Sequence, residues 1–273
     1  MLSERHELFF APIEGNFRLI HITDVHFSAR SKHIKSQRIT EKILEKTRFY
    51  HLPDEAEQNA CAVRAICVTG DLVSRKFSDE CLNDALGLMR RLRKIAPVLY
   101  SMGNHEMDLP ADVRRDFLAR MQGYGITVLD NRTAQLGALY FTGLTLPQAV
   151  YKNPKGGYRK LSTIDKAMVE SCVGACKNHP TVLLAHTPLG YGAYADWGAE
   201  MVLSGHVHGG IVRIMGRGLL SPERRFLPKY TKGRFFENGC YMNVSAGIGK
   251  LRVNNPAEVV CIDICRDPNE GGA

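Results

Sequence analysis

Short apolar runs of strand character recur along the chain, and each stops at a polar turn: Leu19–Thr23, Ala65–Thr69, Val98–Met102, Thr181–Ala185 and Met201–Ser204. Aliphatic and β-branched runs of about 4–8 residues, closed by Gly, Asp or Asn, are what buried strands look like. Between them the period changes to 3.6. Leu82, Ala85, Leu86, Met89 and Leu92 form one stripe, which predicts a helix starting at Ser78. Val113, Phe117, Leu118 and Met121 predict another that starts at Pro110 and ends at Gly123 and Gly125. Ile164, Met168, Val169, Cys172 and Val173 predict a buried face on a third, with Ser162 as N-cap. Arg38–Tyr50 predicts a fourth, since Ile39, Ile43 and Leu44 cluster on one side. Further strands are predicted at Leu139–Thr145, Ile211–Met215, Tyr241–Ser245 and Glu258–Cys265. Residues 216–237, rich in Gly, Pro and Arg, read as a long ordered loop. The first half thus looks like βαβ units and the second like a mixed or antiparallel sheet. Two sheets packed face to face with helices outside satisfy both. With no internal repeat or linker, a single domain over residues 1–273 is expected.

Composition narrows the class. The 273 residues are 44% hydrophobic and 23% charged, as in an ordinary soluble globular protein with room for a sizeable core. No apolar stretch approaches the ~18–20 residues that span a bilayer. Met1–Ile13 carries Glu4, Arg5, His6 and Glu7, unlike the basic start and long apolar core of a signal peptide. A cytoplasmic location is the expectation, with peripheral contact with a membrane left open. Eight cysteines occur without a C-x-x-C spacing, and buried thiols are favoured over disulfides or zinc. Cys172 and Cys176 share the predicted face of Met168 and Val169. The net charge of +8 concentrates in two segments, Ala29–Arg48 and Arg213–Glu237, each +5 by count. Both begin just after a candidate ligand motif, a placement that suits anionic substrates as well as a solvated surface.

The polar turns carry the chemistry. In chain order they are Asp24-Val25-His26, Gly70-Asp71, Gly103-Asn104-His105-Glu106, His186 and Gly205-His206-Val207-His208. Ligands collect at the carboxyl ends of strands in α/β sheets, so these five turns describe one converging site. Asp24, His26, Asp71, Asn104, His186, His206 and His208 offer carboxylate, amide and imidazole donors without thiolate, a mixture suited to Mn²⁺, Fe²⁺ or Zn²⁺. Seven donors exceed one tetrahedral ion and suit two ions about 3.5–4 Å apart, with Asp71 as the natural bridge. Two divalent ions, two carboxylates and a shared hydroxide leave one net positive charge for a phosphate. His105 would then either donate a proton to a departing alkoxide or hydrogen-bond phosphate. Glu106 suits a supporting role. His21, inside a strand, is expected buried beside the ligands; His6, His51 and His179 are expected at the surface, and His33 lies in the first basic segment.

This ordered set resembles the calcineurin-like metallophosphoesterases, whose pattern is D-x-H, G-D, G-N-H-[D/E], a single H and G-H-x-H, with every position present here. Gly205–Gly210, the loop to Tyr230 and Asn243–Gly249 are similar to the bacterial branch of YaeI-like and YkuE-like phosphodiesterases. The resemblance implies an α/β fold: a four-layer α/β/β/α sandwich of two packed mixed sheets flanked by helices. It also implies two divalent ions, one held by Asp24, His26, Asp71 and His208 and the other by Asp71, Asn104, His186 and His206. His105 and Asp71 would be the catalytic pair, with a hydroxide bridging the ions as nucleophile. Arg30, Arg224 and Arg225, from the basic segments, are candidates for contact with an anionic phosphoester.

A phosphodiesterase is the leading expectation. A phosphomonoesterase acting on small esters or phosphoproteins is the alternative, as is a pyrophosphatase of a nucleotide-sugar lipid. A scaffold or nucleic-acid-binding module of the same fold is the non-enzyme alternative, which the charge of +8 allows. Against it, no ligand position is degraded, and the basic segments lack the aromatic interleaving of single-strand binders. No obligatory nucleic acid is expected.

Overall fold

The computed structural model describes residues 2–11, 16–31, 33–51, 63–153, 161–210, 213–214, 217–218, 228–249 and 254–266. The chain opens with β1 (Leu2–Ala11) and β2 (Phe17–Ile22), then α1 (His33–His51) and β3 (Val63–Thr69). Next come α2 (Asp79–Arg93), β4 (Val98–Ser101), the single turn α3 (Asn104–Met107), α4 (Ala111–Gly123) and β5 (Thr127–Val128). The second half holds β6 (Arg132–Leu136), β7 (Leu139–Leu144), α5 (Lys166–Val173), β8 (Thr181–Ala185), α6 (Tyr191–Trp197) and β9 (Met201–Ser204). A short hairpin, β10 (Arg213–Ile214) with β11 (Arg217–Gly218), precedes β12 (Gly233–Glu237), β13 (Cys240–Val244) and β14 (Ala257–Arg266).

Two six-stranded sheets result. One runs β1-β14-β2-β3-β4-β5 and the other β12-β13-β9-β8-β7-β6. Both are mixed. β2, β3, β4 and β5 are parallel, while β14 runs antiparallel to β2 and parallel to β1. In the second sheet β7, β8, β9 and β13 are parallel, with β6 and β12 antiparallel at the edges. The period-two alternation of strand side chains sorts the layers. Ile20, Ile22, Ile66, Val68 and Tyr100 face outward onto Ile43 and Leu44 of α1, Leu82 and Leu86 of α2 and Phe117 of α4. Leu19, Ala65, Cys67 and Leu99 face inward, meeting Phe141, Val182, Leu184 and Leu203 of the second sheet. Leu183, Val202 and Met242 point out again, onto Val169 of α5 and Tyr194 and Trp197 of α6. This is the expected α/β/β/α sandwich.

Several sequence expectations shift. α1 begins at His33 rather than Arg38. α5 begins after Asp165, whose carboxylate accepts from the Met168 amide at 2.8 Å, so Ser162 is not the cap. Within α5 only Val169 is fully buried, and Cys176 lies beyond the helix end. β1 and β12 were not foreseen; β12 occupies the end of what reads as a loop. Ile211 and Met215 fall outside the described residues, which show strand only at Arg213–Ile214. No disulfide links the described cysteines; Cys67, Cys81, Cys240 and Cys261 are buried. Among the described residues no helix is long and apolar enough to cross a membrane.

Candidate metal centre

Parallel strands end together, and here their ends deliver the donors. Beyond β2 and β3 the chains run on side by side: the Asp24 amide donates to the Gly70 carbonyl at 3.1 Å and the His26 amide to the Asp71 carbonyl at 2.9 Å. The Gly205 amide donates to the His186 carbonyl at 2.9 Å, tying the β8 and β9 ends in the same way. Asp24, His26, Asp71, His206 and His208 all adopt positive φ, between 51° and 65°. That left-handed conformation is tolerated best by Asp, Asn and His among residues with a Cβ. Two glycines allow the turns to close on the carboxylates. A Cβ at Gly103 would overlap Asp71 Oδ1, and one at Gly205 would overlap Asp24 Oδ2 and Thr23 Oγ1.

Each carboxylate has one oxygen anchored and the other presented. Asp24 Oδ2 accepts from Thr23 Oγ1 at 2.8 Å and from the His206 amide at 2.9 Å. Asp24 Oδ1 is buried without a hydrogen-bond partner and lies 3.6 Å from His26 Nε2, 3.7 Å from His208 Nε2 and 3.9 Å from His186 Nε2. Asp71 Oδ1 accepts from the His105 amide at 2.9 Å. Asp71 Oδ2 lies 3.2 Å from His186 Nε2, 3.7 Å from His105 Nε2 and 3.8 Å from His26 Nε2. His26 Nε2 and His208 Nε2 are 3.2 Å apart.

These spacings fit ions. Donors bound at about 2.0–2.2 Å to one cation sit roughly 3.0–3.6 Å from each other. Asp24, His26 and His208 form one compact group and Asp71, His186 and His206 another; His26, Asp71 and His105 form a third between them. Asn104 Oδ1, at the N-terminus of α3, is buried and without a partner, as is His186 Nε2. An amide oxygen and a carboxylate oxygen left unpaired in a buried cluster are the acceptors a cation would satisfy. The donor set therefore fits two divalent ions with Asp71 between them.

Supporting contacts fix the ligands. His186 Nδ1 donates to the Thr69 carbonyl at 2.6 Å, which leaves Nε2 facing the cluster. Glu106 accepts from the Asp71 and Gly103 amides at 2.8 and 2.9 Å and from the Val73 amide at 3.2 Å, bracing two ligand turns with one carboxylate. His21 is buried between Thr69 Oγ1 at 2.8 Å and Asn243 Nδ2 at 2.9 Å. Burial, with help from Arg5, pushes its pKa down to about 3, so it stays neutral. His105 Nδ1 accepts from the Arg75 amide at 2.9 Å, so its proton belongs on Nε2, the nitrogen that faces Asp71. Without ions, burial takes His105 down to about 4 against the pull of Asp71.

Three contributors carry no motif of their own. Asn255 holds the His208 turn by donating to the His208 carbonyl and, at 3.2 Å, to that of Gly210. The Tyr151 ring stands edge-on to His206, centroids 5.1 Å apart. Gln148 Nε2 donates to the Asn104 carbonyl at 3.1 Å. Of the proposed substrate contacts, Arg30 is exposed on the turn after His26, while Arg224 and Arg225 lie outside the described residues. His33 points away, pairing with Asp84 of α2 at 2.6 Å.

A sequence profile described as calcineurin-like phosphoesterase matches residues 17–210, a span that contains every donor named above. The chain belongs to that family. No curated protein matches this metallophosphoesterase chain. Among solved structures it is similar to a 5′-nucleotidase, so named provisionally, from Staphylococcus aureus, with a TM-score of 0.52 at 12% identity over 95% of this chain and 56% of that one. It thus spans little more than half that protein's length. It is also similar to the protein TT1561 of Thermus thermophilus, with a TM-score of 0.51 at 11% identity over 85% of this chain and 90% of that one. At such identities the likeness concerns the fold.

Proposed function

We propose that this chain hydrolyses a phosphoester, most readily a phosphodiester, with two divalent ions of the Mn²⁺, Fe²⁺ or Zn²⁺ type. The observation that carries the reading is the pair of donor groups flanking Asp71, with His105 at their edge and unpaired buried oxygens on Asp24 and Asn104. Asp24, His26, Asp71 and His208 would hold one ion, and Asp71, Asn104, His186 and His206 the other. Such a pair, when bound, neutralises phosphate charge and makes water acidic enough to attack near neutral pH. The chain's own residues do the rest. Asp71 presents one oxygen inward and keeps the other on the His105 amide, which sets the distance between the two donor groups. His105, with Nδ1 occupied by the Arg75 amide, presents a neutral Nε2–H that can donate a hydrogen bond to a phosphate or leaving oxygen; acting as an acid would require Nδ1 to be protonated and the Arg75 contact to break. The preference for a diester rests on the likeness of Gly205–Gly210 and Asn243–Gly249 to the bacterial branch named above.

A panel of bis-aryl diesters, aryl monoesters, cyclic nucleotides and pyrophosphates, run with Mn²⁺, Zn²⁺, Fe²⁺ and chelator, tests this. Diesters should turn over fastest, chelation should abolish turnover, and Asp71→Asn should lose both metal and activity. Faster monoesters or pyrophosphates would replace the diester reading. Full metal loading with no turnover of any ester would point to a binding module.

A further inference from the structure

The outer face of α1 is unlike that of an ordinary surface helix. Its inner face, Ser36, Thr40, Ile43, Leu44 and Thr47, is buried against the first sheet and α2. On the opposite side Ile34 is 63% exposed and Phe49 is 65% exposed, the two most exposed large apolar side chains among the described residues. Fifteen residues apart, they lie about 60° from each other around the axis and about 22 Å along it, so they share one stripe. Lys35, Arg38 and Lys42, all exposed, lie along it.

The charge of this stripe is unbalanced. Glu41 is engaged by Arg91, with Nη2 to Oε2 at 2.9 Å, and Lys46 is paired with Glu4. Lys35, Arg38, Lys42 and Arg48 then stand against Glu45 alone. The stripe also has a defined place. α1 links two parallel strands, β2 and β3, so its N-terminus sits at the carboxyl edge of the sheet, where Asp24 and Asp71 are. Ile34 follows His26 by eight residues.

We propose that this stripe docks the protein on an anionic lipid surface. Ile34 and Phe49 enter the headgroup region, and Lys35, Arg38 and Lys42 meet lipid phosphates. The apolar face of α1 is spent on the core, so this contact would rest mainly on the cations, with Ile34 and Phe49 as an apolar anchor at each end. A second copy of the chain is a poor occupant, because two such faces would repel. Nucleic acid is also disfavoured: a phosphate backbone gives Ile34 nothing to bury against, and one Phe is not a stacking platform. Docked this way, the end of α1 nearest the metal centre lies at the membrane, so esters in the headgroup layer come within its reach. The docking itself is independent of the hydrolytic reading.

The test is co-sedimentation of the metal-loaded full chain with vesicles of phosphatidylcholine alone or mixed with phosphatidylglycerol. Binding should require the anionic lipid and weaken with salt. Lys35→Ala, Arg38→Ala and Lys42→Ala should each lower partition roughly fivefold, the worth of one cation at such a surface. Ile34→Ser with Phe49→Ser should lower it at least tenfold, with circular dichroism and melting unchanged because both side chains are solvent-facing. Failure of the wild type to pellet with anionic vesicles would overturn the proposal, and so would undiminished pelleting of the double variant. Effects of these substitutions on duplex DNA binding or on dimer mass, without any on vesicle binding, would give the face to those partners instead.

Discussion

At His186 one hydrogen bond decides which nitrogen is available. With Nδ1–H given to Thr69, any second proton must sit on Nε2, between the two aspartates. Burial alone would push the pKa of His186 down, but Asp71 and Asp24 outweigh it and carry the ion-free site up to about 10. A cation arriving near neutral pH must therefore displace a proton. Metal affinity should rise as pH increases from about 7 to about 10, by up to tenfold per unit, and calorimetry in buffers of different ionisation enthalpy should show proton release. Affinity independent of pH would mean that His186 is already neutral without metal. His105 is testable through the leaving group. If it donates its Nε2 proton, His105→Ala should slow an alkyl diester at least tenfold more than a bis-nitrophenyl diester, whose phenolate departs unaided. Equal losses, with metal content intact, would leave it a phosphate contact. These candidate donors were legible in the sequence because their side chains carry the chemistry at short, ordered spacings. Asn255, Gln148 and the Thr69 carbonyl were not, because they act on backbone atoms far away in the chain, which leaves no local pattern.

Among the elements, the turn after β13 supports Asp24 from behind. The Ile248 and Gly249 amides donate to the Asp24 carbonyl at 3.1 and 2.6 Å. The turn is fastened by Glu258 of β14, only 1% exposed, which accepts from the Ala246 amide at 2.9 Å and pairs with Arg5 of β1 at 3.3 Å and with Lys232 at 2.5 Å. Burial raises the Glu258 pKa, but Arg5 and Lys232 outweigh it, and the net shift is downward from 4.5. A carboxyl depressed in the folded state contributes its stability in full above the unfolded value, and loses it as pH falls through the folded value. Denaturant melts should accordingly weaken below pH of about 4.5. Glu258→Gln should cost about 3 kcal/mol at neutral pH, the low end for a broken buried pair because Arg5 and Lys232 keep some solvent, and should flatten that acid limb. An unaltered acid limb would assign the pH dependence elsewhere. The strands around this brace show where sequence pattern fails. β1 has no alternation: Ser3, Glu4, Arg5, His6 and Glu7 run together before Leu8 and Phe9, and the segment reads as a polar tail until its partner strand is known. β12, opening on Gly233 and followed by Asn238-Gly239, sits in so much Gly, Pro and Arg that a strand of five residues does not stand out.

On the scale of the molecule, the sandwich concentrates strain and like charge at one edge. Five ligands sit in left-handed backbone, of order 1–3 kcal/mol each, and Asp24 and Asp71 share a buried site. Bound ions would neutralise the carboxylates, and their binding energy would offset the backbone cost. At free metal ~1,000 times Kd, binding contributes about 4 kcal/mol, which for a protein of this size is roughly 8–16 °C in Tm. Chelation should lower Tm by that order, with recovery on adding Mn²⁺ or Zn²⁺; an unmoved Tm would mean that the folded apo site is not metal-linked. The layered architecture could be read from βαβ periodicity followed by strand-rich sequence, because each layer buries one face of a regular element. The pairing order could not, and its least expected feature lies in the first sheet. Among the described residues the last strand, β14, lies between β1 and β2, so the ten-residue β1 pairs only with it. A ribosome therefore releases β1 long before anything exists for it to pair with. The Asp24 turn, complete in sequence early on, gains its Glu258 brace only when residue 258 has emerged. A nascent chain thus carries all seven candidate donors by residue 208 but lacks the side chain that fastens the turn behind Asp24 until some fifty residues later.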